Sequence, residues 1–213
     1  MSLPTLVSRF VVYYQRNGWR ATTRRASIEA RRNLFSNSKV ILYCDLSEQR
    51  SLQADLPSSV TIERKRSKTE LSGQDLQQIV NRWNPKLACR NIDERFGQGA
   101  SLWLIKSKDE LAGYGWTLKG HTIEPHYFLF GQNDVHLFDF YVLPQYRGQG
   151  MNPVLVTHIL RNMAAEVGGR AFIEAAEWNR QQLSSLEKTP FRRLGRARKL
   201  TMFRHTIVCW DVA

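Results

Sequence analysis

The chain has 213 residues, 42% of them hydrophobic and 11% aromatic, with 31 Lys and Arg against 19 Asp and Glu for a net charge of +12. This length and hydrophobic fraction exclude wholesale disorder and leave room for one sizeable core but hardly two. The charge excess points to an anionic partner, and its distribution narrows the choice. Residues 1–35 contain seven arginines against the single acid Glu29, residues 188–204 contain seven basic residues and no acid, and residues 36–187 carry 17 charges of each sign. Three widely spaced cysteines, Cys44, Cys89 and Cys209, fit neither a disulfide framework nor a zinc site, so a reducing, cytoplasmic setting without a bound metal is expected. No run is apolar for long enough to span a bilayer, and the start M-S-L-P-T-L-V-S-R-F lacks the pattern of a signal peptide.

In chain order, Leu3, Leu6, Val7, Phe10, Val11 and Tyr14 fall at helical spacing on one stripe, with Arg9 and Arg16 outside it. Gly18 interrupts this piece, and the arginine-rich stretch from Arg20 to Arg32 continues it to Ser36-Asn37-Ser38. Two readings stand: a helix lying on anionic lipid or a partner, or a helix packed on its own domain with a solvated basic face. Residues 1–38 thus form a basic amphipathic extension and 39–213 the globular domain. K-V-I-L-Y-C-D-L at 39–46 reads as a strand, with a second at 60–64. Ser72 is an N-cap for a helical pattern that Pro85 divides in two before Phe96. Strands at 101–106 and 111–118 flank a short polar loop, 107–110, as a hairpin. A strand at 135–142 leads through a glycine turn into a helix carrying Val154, Leu155, Ile159, Leu160 and Met163. A strand at 170–176, a helix from about 179 to 188 and β-like segments at 191–197 and 199–210 follow. The order predicts a single α+β domain with a central mixed, mostly antiparallel sheet flanked by helices.

The chemistry-bearing stretch is F-D-F-Y-V-L-P-Q-Y-R-G-Q-G-M-N-P at 138–153. Gly148 and Gly150 stand between a strand and a helix, where unshielded backbone N–H groups point outward at the positive end of the helix dipole, a phosphate cradle. Pro153 in the first helical turn gives up only an N–H without an intrahelical partner, and Arg147 adds a fixed charge. As a bare pattern this is also an ordinary tight turn. No lysine follows the glycines, which rules out a nucleoside-triphosphate loop.

The string Gln145-Tyr146-Arg147-Gly148-Gln149-Gly150, with its V-L-P lead-in, resembles the Arg/Gln-x-x-Gly-x-Gly/Ala motif of the GCN5-related N-acetyltransferase (GNAT) superfamily, and Asn179 before a helix ending L-E-K-T-P-F resembles the family's closing motif. The resemblance covers roughly residues 40–210. It implies a V-shaped splay between two parallel strands, here 135–142 and 170–176, that takes acetyl-CoA as co-substrate. The pyrophosphate would lie on the N–H groups of Arg147, Gly148, Gln149, Gly150 and Met151, the pantetheine beside Tyr141, Val142 and Leu143, and Asn179 would contact the cofactor.

In such a transfer an amine or hydroxyl attacks a thioester, so a base must take a proton, a backbone N–H near Val142 can polarise the carbonyl and an acid can protonate the leaving thiolate. Alignment with the histone acetyltransferase branch places His136 at the catalytic glutamate, and Asp139 is the other titratable group on that strand. Strict alternation would put His136, Phe138, Phe140 and Val142 on one face and Leu137, Asp139 and Tyr141 on the other unless a bulge intervenes. Glu174 and Glu177 are more distant candidates. Leu186 stands where the family often has a proton-donating tyrosine, leaving Ser184, Ser185 and Tyr141 as substitutes, and Pro190 replaces a glycine. Trp83, Trp103, Trp116, His121, His126 and Tyr127 are aromatic or titratable groups in the half expected to build the acceptor site, although aromatic residues at strand positions are more often core.

These features predict acyl-CoA-dependent acetyl transfer to a primary amine. A loose resemblance to acetyltransferases of bacterial surface-polysaccharide assembly implies an amino-sugar precursor at the inner membrane face. The alternatives are a catalytically degenerate acyl-CoA-binding module, motivated by Leu186, and a nucleic-acid-binding protein, which lacks any accompanying recognition motif.

Overall fold

The computed structural model describes Trp19, Thr23 and residues 38–49, 56–57, 59–81, 84–202 and 205–211. The amphipathic stripe of residues 3–14, nearly all of the arginine-rich extension, and Trp83 lie outside the described residues. Eight strands are described: β1 (Lys39–Asp45), β2 (Val60–Lys65), β3 (Ser101–Ser107), β4 (Glu110–Lys119), β5 (Val135–Val142), β6 (Arg170–Ala176), β7 (Arg192–Met202) and β8 (His205–Asp211). Four α-helices join them: α1 (Gly73–Val80), α2 (Pro85–Gly97), α3 (Met151–Glu166) and α4 (Arg180–Leu186).

The helix boundaries follow local chemistry. The Ser72 side chain accepts from the Asp75 amide at 3.0 Å, capping α1, while Asn84 caps α2 with Pro85 in its first turn. Asn179 caps α4 by accepting from the Gln182 amide at 3.2 Å. The β3–β4 connection is tighter than expected: Lys108 and Asp109, both at positive φ, make a two-residue turn that lets the strands run further.

All eight strands form one sheet in the order β2-β3-β4-β5-β6-β1-β7-β8. β1 inserts between β6 and β7, antiparallel to both, and β5–β6 is the parallel pair. The strands pack two apolar layers. On one face α3 covers the sheet, with Leu155, Val156, Ile159 and Leu160 fully buried against Trp103, Ile105, Val135 and Leu137. On the other, α1 and α2 cover Leu102, Leu104, Tyr114, Trp116 and Leu118. Among the described residues, no helix is long and apolar enough to cross a membrane.

β5 departs from strict alternation. Its register against β4 slips between Tyr114 and Trp116, and Asp139 sits at φ +50°, a bulge that places an extra residue on β5. The faces therefore exchange beyond Phe138. Phe140 and Val142 pack with Leu137 on the α3 side, whereas Phe138 and Tyr141 pack on the α1–α2 side, and Asp139 reaches Arg95 of α2. The bulge is the exception under which strict alternation, with His136, Phe138, Phe140 and Val142 on one face and Leu137, Asp139 and Tyr141 on the other, is expected to fail.

Gly115 makes the bulge possible. A Cβ there would lie 2.3 Å from the Phe140 ring, so only glycine lets that ring cross the strand. Gly115→Val should destabilise the domain by about 1–3 kcal/mol, the usual range for overpacking, read as a lower urea midpoint with an unchanged slope.

Candidate active site

β5 and β6 pair over only three residues, ending at Leu137↔Ile173. Beyond that point the two strands have no mutual register, while β5 continues along β4 and β6 along β1. The result is the splay expected between 135–142 and 170–176. On its β5 side the Leu143 amide bonds to Ala112 of β4 at 2.9 Å. Since successive amides alternate between the two edges of a strand, the Val142 N–H points to the opposite, open edge. The Val142 carbonyl accepts from Arg147 Nε at 3.2 Å, and the Arg147 guanidinium stacks on the Tyr141 ring, so Tyr141, Val142, Leu143 and Arg147 form one rim.

From this rim a short turn leads to Gly148 and Gly150 at φ +77° and +76°, left-handed backbone that favours glycine. Among the described residues, a Cβ on either would meet nothing within 4 Å. Gly150 is the N-cap of α3 and offers no side-chain acceptor, so the first-turn amides from Met151 onward lack a cap. Their dipole end and the adjacent guanidinium suit a phosphate-bearing cofactor such as acetyl-CoA. The Gln149 side chain turns back to the Gln145 carbonyl and leaves this space clear. Asn179, expected at the cofactor, engages Gln182 through both side-chain atoms as the α4 cap.

Leu186 is fully buried in the core, but the preceding Ser185 is close to α3: Asn152 Nδ2 donates to its Oγ at 2.9 Å, leaving the Ser185 hydroxyl proton to be given elsewhere. Tyr141 lies on the α1–α2 side against Tyr114.

The titratable groups gather on the α1–α2 face at the start of the splay. His136 pairs across the sheet with Leu118 and stacks on Phe138. Its Nε2 lies 2.8 Å from Glu174 Oε2, and His126 Nε2, from the loop between β4 and β5, lies 3.3 Å from the same oxygen. Burial alone would raise the Glu174 carboxyl, but the hydrogen bonds from His126 and His136 outweigh it and hold the group well below the usual carboxylate range. The three donor atoms lie within 4.8 Å of one another, close enough for one metal ion to share. Phe128, Phe130 and Phe172 wall the cluster. Asp139 instead bonds Arg95 Nη1 at 2.6 Å, under a guanidinium stacked on Trp116 and Phe138.

Of the aromatic residues expected at an acceptor site, Trp103 and Trp116 are core, His121 is exposed, and Tyr127 packs on Trp210 beneath Lys199. Tyr127 is pushed up to about 12 by burial and the Glu174 charge. Trp178, which the sequence reading passed over, is 71% exposed just after β6. Glu177 pairs with Arg196, away from the histidines.

Residues 68–188 match a model of the GNAT acetyltransferase family. Among solved structures, a GNAT-family acetyltransferase from Colwellia psychrerythraea aligns with 83% of this chain and 56% of its own at 13% identity and a TM-score of 0.54. A tandem GNAT protein from the clavulanic acid biosynthesis pathway aligns with 81% and 56% at 14% identity and 0.53. A GNAT-family protein from Novosphingobium aromaticivorans aligns with 75% and 61% at 13% identity and 0.50. The chain therefore spans a little over half the length of these structures, and at such identities they share its fold. No curated protein matches it.

Proposed function

The chain belongs to the GNAT acetyltransferase family, and we propose that it transfers an acetyl group from acetyl-CoA to a primary amine held on the α1–α2 side of the splay. The observation that carries this reading is the opening of β5 from β6 after Leu137↔Ile173, directly ahead of the uncapped α3 terminus at Gly150. Bound acetyl-CoA supplies an activated thioester carbonyl. The amides around Gly148 and Gly150 hold its phosphates, and the Val142 N–H is the donor available to a carbonyl oxygen on the open edge. His136 is the base: with Nε2 engaged by Glu174, its Nδ1, buried and without a hydrogen-bond partner among the described residues, accepts the proton of the incoming amine. Ser185, oriented by Asn152, is the hydroxyl nearest the role that a tyrosine at position 186 would fill. Asp139, already paired with Arg95, is the second carboxylate on the α1–α2 side.

Among amines we favour an amino sugar, because the exposed Trp178 ring beside the splay is free to stack on a pyranose. Thiol release from acetyl-CoA across a panel of amino sugars, polyamines and peptides tests the acceptor, and preference for a peptide would defeat the sugar assignment. The one-sided apolar stripe and seven arginines of residues 1–35 support peripheral contact with an anionic membrane. Deleting residues 1–35 should leave CoA affinity intact and weaken cosedimentation with phosphatidylserine-containing vesicles. Undiminished vesicle binding by the truncated protein would assign the membrane contact elsewhere.

A further inference from the structure

We infer that Glu174 is a positioning residue for His136, fixing its imidazole in the Nε2–H form so that the Nδ1 lone pair is left for the amine, and that His126 ties the β4–β5 loop to the same carboxylate oxygen. The inference rests on the reading of His136 as the base.

An ionised carboxylate only accepts hydrogen bonds, so the ring nitrogens facing Glu174 Oε2 must carry the protons. Both contacts are made through Nε2, at 2.8 Å from His136 and 3.3 Å from His126. A neutral imidazole has a single N–H, so each Nδ1 keeps its lone pair. Both Nδ1 atoms are buried and have no hydrogen-bond partner among the described residues. A buried acceptor left without a donor is costly and calls for an explanation, and a substrate N–H is the donor that the His136 ring lacks.

The fold places Glu174 for this task. It is the first β6 residue beyond the last β5–β6 pair, and it shares a face with Phe172 because Ile173 and Ala175 point into the α3-side core. It is also the most open of the three groups, with 24% of its side chain exposed against 8% for His136 and 4% for His126. The carboxylate thus stands at the apex of the splay, beside the base.

His126 arrives on residues 120–134, a long connection beside the two-residue turn that joins β3 to β4. Its base is tied by the Gly120 amide to the Asp134 carbonyl at 2.8 Å, and Phe128 and Phe130 rest on Phe172. The two imidazoles meet edge to face at 5.1 Å. Moving this loop would withdraw one of the two N–H donors that fix the Glu174 carboxylate.

The test combines nitrogen-15 NMR of the histidine rings with kinetics on the full chain. The wild type should show His136 as the Nε2–H tautomer. Glu174→Gln, whose amide can turn an N–H toward Nε2, should mix the tautomers and lower kcat about a hundredfold, leaving KM for acetyl-CoA within about twofold. Glu174→Asp should recover part of kcat, and His126→Gln should raise the acceptor KM more than it lowers kcat. An Nδ1–H tautomer in the wild type, one equivalent of tightly held zinc on the purified protein, or a Glu174→Gln variant with unaltered kcat would each overturn the inference. The wild-type spectrum tests it even if the variants do not fold. Activity surviving in His136→Ala would defeat the base assignment itself, whereas an inactive His136→Ala beside a fully active Glu174→Gln would defeat only the role of Glu174.

Discussion

Gly148→Asp leaves the domain folded and weakens CoA binding at least about a hundredfold, a loss of about 2.7 kcal/mol. The fold should tolerate the change because a Cβ at position 148 meets no atom of the described residues within 4 Å and aspartate is among the residues that best accept a positive φ such as the +77° found there. A carboxylate ahead of α3 also suits the helix dipole, so the melting temperature should hold or rise slightly. The same carboxylate occupies the space on which the amides of Gly148 to Met151 open, and it repels a pyrophosphate brought to them. Calorimetric titration with CoA, paired with a thermal melt, checks both halves. Unchanged affinity in a folded variant would remove the phosphate site from this turn.

His136→Ala carries the second large effect. General-base catalysis contributes roughly 10²–10⁴-fold, so kcat/KM should fall within that range while CoA affinity stays within about twofold. The ring is removed from a stack with Phe138 and from contact with Phe130, so the variant should also lose some stability. His136→Gln preserves more of that packing without supplying a base and should show the same kinetic loss. If both variants keep near-normal turnover, the proton leaves through another group, and Asp139 at the bulge becomes the next candidate.

The elements with local signatures were legible in the sequence. Ser72, Pro85 and the glycines at 148 and 150 each mark a boundary by their own backbone chemistry, and the structure has a cap, a first-turn proline and a left-handed turn at those positions. What depends on distant partners was not legible. The insertion of β1 between β6 and β7 is set by pairing across more than a hundred residues, which no periodicity encodes. The bulge at Asp139 reversed the faces of β5, and the signal that could have revealed it lies on another strand: Gly115, the residue that makes room for Phe140.

The same limit governs the site. His136 and Asp139 could be singled out as titratable groups on the strand leading into the glycine turn, but the sequence could not say that one would meet a carboxylate and the other a guanidinium. Glu174 gains weight only once β6 lies beside β5. His126 gains it only once a 15-residue connection folds back over the sheet, because sequence shows no periodicity in such a loop.

The central claim, that the splay between β5 and β6 binds acetyl-CoA and passes its acetyl group to an amine, is tested most directly by thiol release from acetyl-CoA with an amine panel, run on the wild type, Gly148→Asp and His136→Ala in parallel. The account predicts amine-dependent release by the wild type, loss in Gly148→Asp that traces to cofactor binding, and loss in His136→Ala with cofactor binding retained. Tight CoA binding by the wild type without release in the presence of any amine, or equal release by all three proteins, would contradict it.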